Sequence, residues 1–453
     1  MSRSASPRIF PLVTLVALLA SSTVWAAENT IETVDAGNAA WISLSLDDAL
    51  RPHIGYIVGQ DIRYAVRDGA SWTVETAFDD NAGLQGAVLK TDAAGQAHVV
   101  FADSPYAKYG VRSGGSWQFE TLTQPDETIV PDISLAVDEQ GTPVVTYWML
   151  QCGEIDCDAR LWQVDKASGA WAYNTIWSCL FFSGQTEVTT DGADNRHGII
   201  SCEVDDQVFY YGPQEFEMLP DVSSYDPIVL AADSQGQPHV VYSSFSSLRH
   251  RFKVGDTWTD ESIVLSAPEL GASFSLALDA LGNPHVAYFD GVNDDLRYAH
   301  RENGVWSFRV IDGDGIDVGS RTSIAVGSDG VARIAYLDRT NSALRYAVVS
   351  NDATSVPDAG RGALVLTVAP NPSRDATTLA FALPRPGEIT LSLYDTSGRR
   401  IRTLARGQLP AGAQSIGWDL RDQSGLRVAG GTYFARLRLG DGSSITERVT
   451  VVR

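Results

Sequence analysis

Between Ser275 and Asp312 the sequence runs SLALDALGNPHVAYFDGVNDDLRYAHRENGVWSFRVID. It reads as four short strands. SLALD and HVAYF are apolar and β-prone, with an Asp-x-x-Gly turn between them. LRYAHR follows a Gly/Asn/Asp loop, and Asn303-Gly304 turns the chain into WSFRVI. A single four-stranded meander has two faces and cannot bury both by itself. The block recurs: the counterparts of His285 are His53, His98, Val144, His197, His239 and Arg333, at intervals of 42 to 53 residues. Seven such units with no helical period predict an all-β chain built on a seven-bladed β-propeller.

Other positions repeat in step. The turn before the anchor residue reads Asp92-x-x-Gly95, Asp138-x-x-Gly141, Asp233-x-x-Gly236 and Asp279-x-x-Gly282. Asp bonds its own backbone two residues on, and Gly takes the positive φ that completes such a turn. The third strand carries Arg63, Lys108, Arg160, Arg249, Arg297 and Arg345. The fourth opens with Trp72, Trp117, Trp171, Trp258 and Trp306, with Phe216 in the divergent fourth unit. The seventh unit lacks a Trp-led fourth strand, while Ile31–Asp35 (IETVD) lies spare ahead of the first. Pairing the two closes the circle with strands from both ends and leaves no open edge. A solenoid has no use for that arrangement.

At 453 residues the chain is too long for one ordinary core. Residues 1–26 read as a signal peptide: Arg3 and Arg8, an apolar run from Ile9 to Ala20, and Val24-x-Ala26 at the cleavage site. That run is shorter than the roughly 20 residues of a membrane span, and no other stretch approaches it, so no transmembrane segment is expected. The expected layout is a propeller over 27–349, a polar linker over 350–362 and a second domain over 363–453. Charge divides the same way. The chain carries a net −22, but from Gly362 onward 12 Arg oppose 7 acidic residues. The acidic remainder repels nucleic acid and anionic membranes.

Export places the four cysteines in an oxidising compartment. Cys152 and Cys157 frame the loop CGEIDC and are expected to bridge locally, with Cys179 and Cys202 as the second pair. The spacings are not the paired Cys-x-x-Cys of a four-thiolate zinc site.

In the C-terminal part, APNP at 369–372, LYDTSGRRIRTL at 393–404, Gly412, Trp418-Asp419, Gly425, GGTYFARL at 430–437 and the terminal RVTVVR appear in order. This set resembles the Ig-like domains grouped with the flagellar hook-capping (FlgD-like) fold and the type IX secretion sorting domain. The resemblance implies a small antiparallel sandwich without catalysis, acting in passage across the outer membrane and retention at the cell surface. It covers about a fifth of the chain, and this member is Arg-only where relatives are often Lys-rich. The repeats loosely resemble secreted sialidase-like propellers of the Asp-box type. No unit carries the Ser-x-Asp-x-Gly-x-x-Trp of an Asp-box, so no catalytic residue is carried over.

A residue recurring at the same place in most blades does the same job in each. The repeated His is therefore expected to bond neighbouring blades rather than to hold a metal, the Arg to pair with Asp290-type residues, and the Trp to cover core or edge. Function is sought where the symmetry breaks. Trp148, Trp177, Phe181 and Phe182 form an aromatic excess among the units that hold all four Cys. Loops on one face bring Asp205, Asp206, Asp290, Asp294 and Asp295, joined by Asp312, Asp314 and Asp317. Acidic loops with nearby aromatics could hold a cation such as calcium, or a sugar. DGDGID lacks the downstream acidic residue of an EF-hand, and an exposed acidic loop accounts for it better. No nucleophile elbow, phosphate loop or zinc-protease His pair occurs, and no cofactor is expected. The expected protein is an exported, non-enzymatic propeller for a glycan or protein ligand, at the cell surface or beyond it, with the periplasm as the alternative address. The outer-membrane secretion machinery is its expected second partner, through the C-terminal domain. The alternative activity is a polysaccharide hydrolase or lyase using carboxylates of the acidic face.

Overall fold

The computed structural model describes residues 29–349 and 366–452, apart from segments 80–83, 124–126, 153–156, 181–183, 204–205, 245–246, 265–272, 384–386, 410–411 and 441–443 and the single residues 168, 314, 370, 375 and 397. Seven four-stranded antiparallel sheets follow one another and form the blades of a propeller. The sixth blade consists of Phe274–Leu278, Pro284–Asp290, Asp295–Glu302 and Val305–Asp312, in that order from axis to rim. The seventh takes Val318–Val326, Ala332–Asp338 and Ala343–Val348 from one end of the chain and its outer strand, Thr30–Ala36, from the other. Thr30 pairs with Val348 and Ala36 with Ala343. Each innermost strand packs on the next, and that of the seventh blade, Val318–Val326, meets that of the first, Ala40–Leu46. The ring is closed.

Closure gives every sheet two covered faces, which the alternating apolar residues need. Cores run across blade boundaries: Val100 and Tyr109 of the second blade share one with Val145 and Tyr147 of the third. At the rim a polar clasp repeats. A Glu on the outer strand of one blade accepts from the indole Nε1 of the Trp that opens the next blade's outer strand, and from the cation opposite that Trp. Glu32 takes Trp72 at 3.0 Å and Arg67 at 2.7 Å; Glu75 takes Trp117 at 2.8 Å and Arg112 at 2.7 Å. Glu120 takes Trp171 at 2.8 Å and Lys166 at 2.6 Å; Glu217 takes Trp258 at 2.7 Å and Lys253 at 3.0 Å; Glu261 takes Trp306 at 2.9 Å and forms an ion pair with Arg301 at 2.6 Å. The cation and the indole N–H satisfy each carboxylate together, and a charged acceptor makes both bonds stronger than neutral ones.

Two interfaces depart from this. Phe216 replaces the Trp in the fourth blade, and Trp177 of the third stacks on it at 5.2 Å. Between the sixth and seventh blades, Asn29 stands where the Trp would be and donates to the carbonyl of Ile311.

The repeated His behaves differently from expectation: it bonds inside its own blade. Tyr64, Tyr109, Tyr210 and Tyr298 on the third strands donate to Nδ1 of His53, His98, His197 and His285, at 2.5–2.6 Å. That leaves the Nε2 proton for the turn Asp, as in His53–Asp47 at 3.3 Å and His197–Asp191 at 3.2 Å. The turns themselves form as read: Gly95, Gly141, Gly236 and Gly282 all adopt φ of 76–78°, and each Asp accepts the N–H four residues on. One alignment was two residues off. The position facing Tyr56, Tyr242 and Tyr288 is Arg63, Arg249 and Arg297, but in the third blade Tyr147 faces Trp162, while Arg160 faces Met149.

Residues 366–452 form a three-stranded and a four-stranded antiparallel sheet. They enclose one core containing Leu391, Trp418, Tyr433 and Val449. Of the cysteines, Cys202 is buried and disulfide-bonded. Cys152 and Cys157 are cross-strand partners, and Cys179 lies on the adjacent strand Ala172–Leu180. The side chains of these three lie outside the described residues.

Deleting Asn29–Ala36 removes the outer strand of the seventh blade and the Glu32 clasp together. The expected result is a melting temperature roughly 10 °C lower, since 1 kcal/mol moves the midpoint of a domain of this size by about 2–4 °C. An unchanged midpoint in calorimetry would reject the pairing of the two chain ends.

Candidate functional site

Most charged groups named from the sequence are used by the scaffold. Arg297 reaches Asp290 at 2.6 Å and Asp295 at 3.6 Å. Asp312 accepts from Tyr336 at 2.6 Å and from Arg345 of the next blade at 2.9 Å. Asp317 lies 3.6 Å from Arg339, and its N–H donates to Thr340. Asp206 accepts from the hydroxyls of Ser223 and Ser224 and from the Ser224 N–H, which hold its carboxyl below the ordinary range. Asp294 takes a positive φ, and its carbonyl accepts from Val318. Trp148 is 0% exposed, in a core with Leu161, Ile200 and Tyr211, so it offers no ligand surface. Trp177 is held between Phe209 and Phe216. Phe181, Phe182, Asp205 and Asp314 lie outside the described residues. The structure does not bring this set together as one site.

A different set of unusual residues lies on the innermost strands. There the ladder slips at the same place in successive blades. The slip falls between Ala40 and Ser43 in the first blade, Gln85 and Ala87 in the second, Ile129 and Ile133 in the third and Ser320 and Ser323 in the seventh. The extra residues are Trp41, Gly86, Asp132 and Arg321, each near the start of its strand. Gly86 has φ of 59°, which Gly accepts at no cost. Trp41 has φ of 53° and Arg321 of 61°. A bulky side chain in that region is rare and strained, and strain of this kind gathers at functional sites. Trp41 is 47% exposed. Bulges also re-aim side chains next to such sites.

Behind this rim the strands carry an ionisable trio. Asp132 accepts from the Thr186 N–H at 2.9 Å, and Glu187 accepts from Ser134 at 3.1 Å, so the third and fourth blades are tied together here. Burial pushes Asp132 up to about 7, and the neighbouring charges of Glu187 and Glu203 add to the shift. Burial likewise pushes Glu187 up to about 7, with Lys90 of the second blade and the Ser134 hydroxyl opposing. Lys90 is pulled below the usual ammonium range by the same desolvation, and Glu187 restrains it. In the layer of Glu187 the other blades are uncharged, with Ser43, Val88, Ser134, Val229, Ser275 and Ser323 at the equivalent register positions; Asp132 lies two positions before this layer and Lys90 two after it. The innermost strands thus carry two carboxyl groups pushed above the ordinary carboxylate range and, coupled to Glu187, the ammonium group of Lys90. Carboxyl groups shifted by burial and by a specific neighbouring charge are candidate functional groups.

Sequence reasoning missed these five because the innermost strands carry no recurring polar consensus. The available signal was the converse: Lys90, Asp132 and Glu187 are charges in strands that elsewhere read Ser, Ala, Val and Thr.

Residues 370–441 match the FlgD Ig-like domain family. No curated protein sequence matches the chain. Solved structures similar to it include the Hadza microbial sialidase Hz136, at 13% identity over 66% of this chain and 74% of that one, with a TM-score of 0.42. PorZ, a bacterial surface component of the type-IX secretion system of Porphyromonas gingivalis, is 14% identical over 91% of this chain and 70% of that one, with a TM-score of 0.31. The SapL1 lectin in complex with alpha methyl fucoside is 12% identical over 62% of this chain and 97% of that one, with a TM-score of 0.42.

Asp132 holds its proton to about pH 7 when folded but loses it near the ordinary 3.8 when unfolded. The folded state therefore binds the extra proton between those values, and stability falls as pH rises through that window. Asp132→Asn keeps an acceptor for Thr186 and removes the titration. The variant should match the wild type near pH 4 and exceed it by on the order of 1–3 kcal/mol above pH 7. Parallel denaturation curves at all pH values would refute the shifted carboxyl.

Proposed function

We propose that the chain is an exported, non-enzymatic binding protein. Its propeller takes a ligand at the axial rim built by Trp41, Asp132, Glu187, Lys90 and Arg321, and its C-terminal domain serves secretion or surface sorting. The observation that carries the reading is Trp41, exposed and held at positive φ in a bulge where the next blade uses Gly. An indole face covers an apolar surface, and carboxyl, ammonium and guanidinium groups beside it offer donors and acceptors. That combination suits a polyhydroxylated ligand such as a glycan chain, and a protein loop is the second candidate.

Asp132 and Glu187, both titrating about 7, favour a second reading. One carboxyl protonated and one ionised is the division of labour of a general acid and a general base in polysaccharide cleavage. A glycan array run beside a hydrolase and lyase panel separates the two. Under the binding reading, the wild type retains a glycan without product, and Trp41→Ala weakens retention about ten-fold or more. Product formation that disappears in Glu187→Gln would establish the enzyme instead. Neither retention nor turnover across the panel, with a protein partner recovered that needs Trp41, would move the assignment to protein recognition.

For the C-terminal domain, the match to the FlgD Ig-like family over 370–441 supports a role outside catalysis. The Arg-rich charge of this part, opposed to the acidic propeller, supports a separate task for it. Residues 363–453 fused to a periplasm-targeted reporter should carry it to the cell surface of a host with type IX machinery. A reporter that stays periplasmic while the full chain reaches the surface would make the domain a spacer or docking module.

A further inference from the structure

The sixth blade differs from the others at one half-buried position. Opposite the anchor residue, the third strand holds Val66 in the first blade, Val111 in the second, Asp165 in the third, Phe252 in the fifth and Val348 in the seventh. In the sixth it holds His300, paired with His285. The two rings stack with centroids 4.1 Å apart. His285 is 2% exposed, and its Nε2 has no hydrogen-bond partner; the Nε2 of His300 is buried and has none either. The turn carboxylate lies 3.2–3.3 Å from the anchor Nε2 in the first and fourth blades, 3.7 Å in the second and 3.8 Å in the sixth, where it is Asp279. One ligand atom from each of Asp279, His285 and His300 falls within 4.8 Å of the others.

We propose that Asp279, His285 and His300 form a binding site for a divalent transition ion, with Zn²⁺ the best match. Two imidazoles and one carboxylate suit zinc and its first-row neighbours, whereas calcium takes oxygen ligands alone. Ligand atoms of a tetrahedral zinc site lie about 3.3 Å apart, given bonds of about 2.0–2.1 Å. The two rings are stacked at 24°, so one imidazole has to turn out of the stack for both to aim a nitrogen at the same ion. An unpartnered anchor Nε2 occurs also at His98 of the second blade; the sixth blade adds a second one on His300, and an ion would give both of these nitrogens a partner.

Supporting groups are in place. Tyr298 lies 2.5 Å from Nδ1 of His285. With Nε2 on the metal, the tautomer inverts and Nδ1–H donates to the Tyr298 oxygen, the outer hydrogen bond a metal-bound His usually makes. Asn283 donates to Asp279 at 2.9 Å and fixes the carboxylate. Room for a further ligand exists on the seventh-blade side. At other boundaries the turn glycine of the next blade closes over the Asp: a Cβ on Gly95 would lie 2.9 Å from Asp47, on Gly236 2.7 Å from Asp191 and on Gly282 3.2 Å from Asp233. On Gly330 of the seventh blade it would meet nothing within 4 Å. Water can complete the coordination there. This site is independent of the axial one, and its test does not depend on the function proposed above.

The test is equilibrium dialysis of the full, chelator-stripped chain against Zn²⁺, with Co²⁺ absorption as a second readout. One ion per chain is expected, together with Co²⁺ bands of a nitrogen–oxygen site of low coordination number. His300→Val, the residue of the first two blades, should abolish both, and Asp279→Asn should weaken binding at least about ten-fold. No binding by the wild type would overturn the proposal. So would stoichiometric binding that persists in both variants, because the ion would then sit elsewhere. If His300→Val fails to fold, Asp279→Asn alone decides, since Asn keeps the turn acceptor and removes only the charged ligand.

Discussion

Each blade is a sheet with two apolar faces, and neither can be left wet. The ring exists because every face needs a neighbour, and it is stable only if the last blade finds the first. Closing it with a strand from the opposite end of the chain ties both ends of the propeller into one ladder of hydrogen bonds. Glu32 shows how local that solution is. It sits on the closing strand and clasps Trp72 and Arg67 of the first blade as Glu75 clasps the second. The seam is thus chemically the same as the ordinary boundary between the first and second blades.

The clasp also explains the recurring cations and indoles. A Glu alone at a partly buried rim would pay for desolvation. With an indole N–H and an Arg or Lys on it, its charge is favoured: the Arg112 hydrogen bond is the main reason Glu75 stays below the usual carboxylate range, and Lys166 does the same for Glu120. Lys253 serves both Glu215 and Glu217, and it too stays charged through those bonds, against the pull of burial. The carboxylates of the clasps are therefore structural, each matched by a cation and an indole N–H. This is why counting acidic residues in loops pointed to Asp290, Asp312 and Asp317, which turned out to hold Arg297, Arg345 and Arg339.

What could be read from the sequence was whatever repeats. The blade count, the Asp-x-x-Gly turns and the exchange of a strand across the chain ends follow from period and turn chemistry, and all three appear in the structure. The C-terminal sandwich was legible from its ordered motif. What could not be read was register and direction. Arg160 and Trp162 are two residues apart, and only the pairing with Met149 and Tyr147 says which of them occupies the repeat position. Trp148 looked like part of an aromatic excess, yet alternation turns it into the core. The imidazoles looked like links between blades, but their Tyr partners lie on the same sheet, across one strand spacing.

Symmetry also says where function can be placed. A position filled alike in every blade is bound to the scaffold, and changing it costs stability at one boundary without creating anything at another. The innermost strands escape this rule because residues from different blades converge there, so single substitutions in three blades can build one constellation. Lys90, Asp132 and Glu187 come from the second, third and fourth blades and act on one another only because the axis brings them close. His300 is the other way of breaking the pattern. It places a second imidazole beside an existing His–Asp pair within one blade, at a boundary where the next turn leaves space. The first break spreads a site across blades and the second concentrates one inside a blade. Both leave the clasps in place, and the second draws on the turn carboxylate Asp279 while its other oxygen keeps the backbone bonds of the turn.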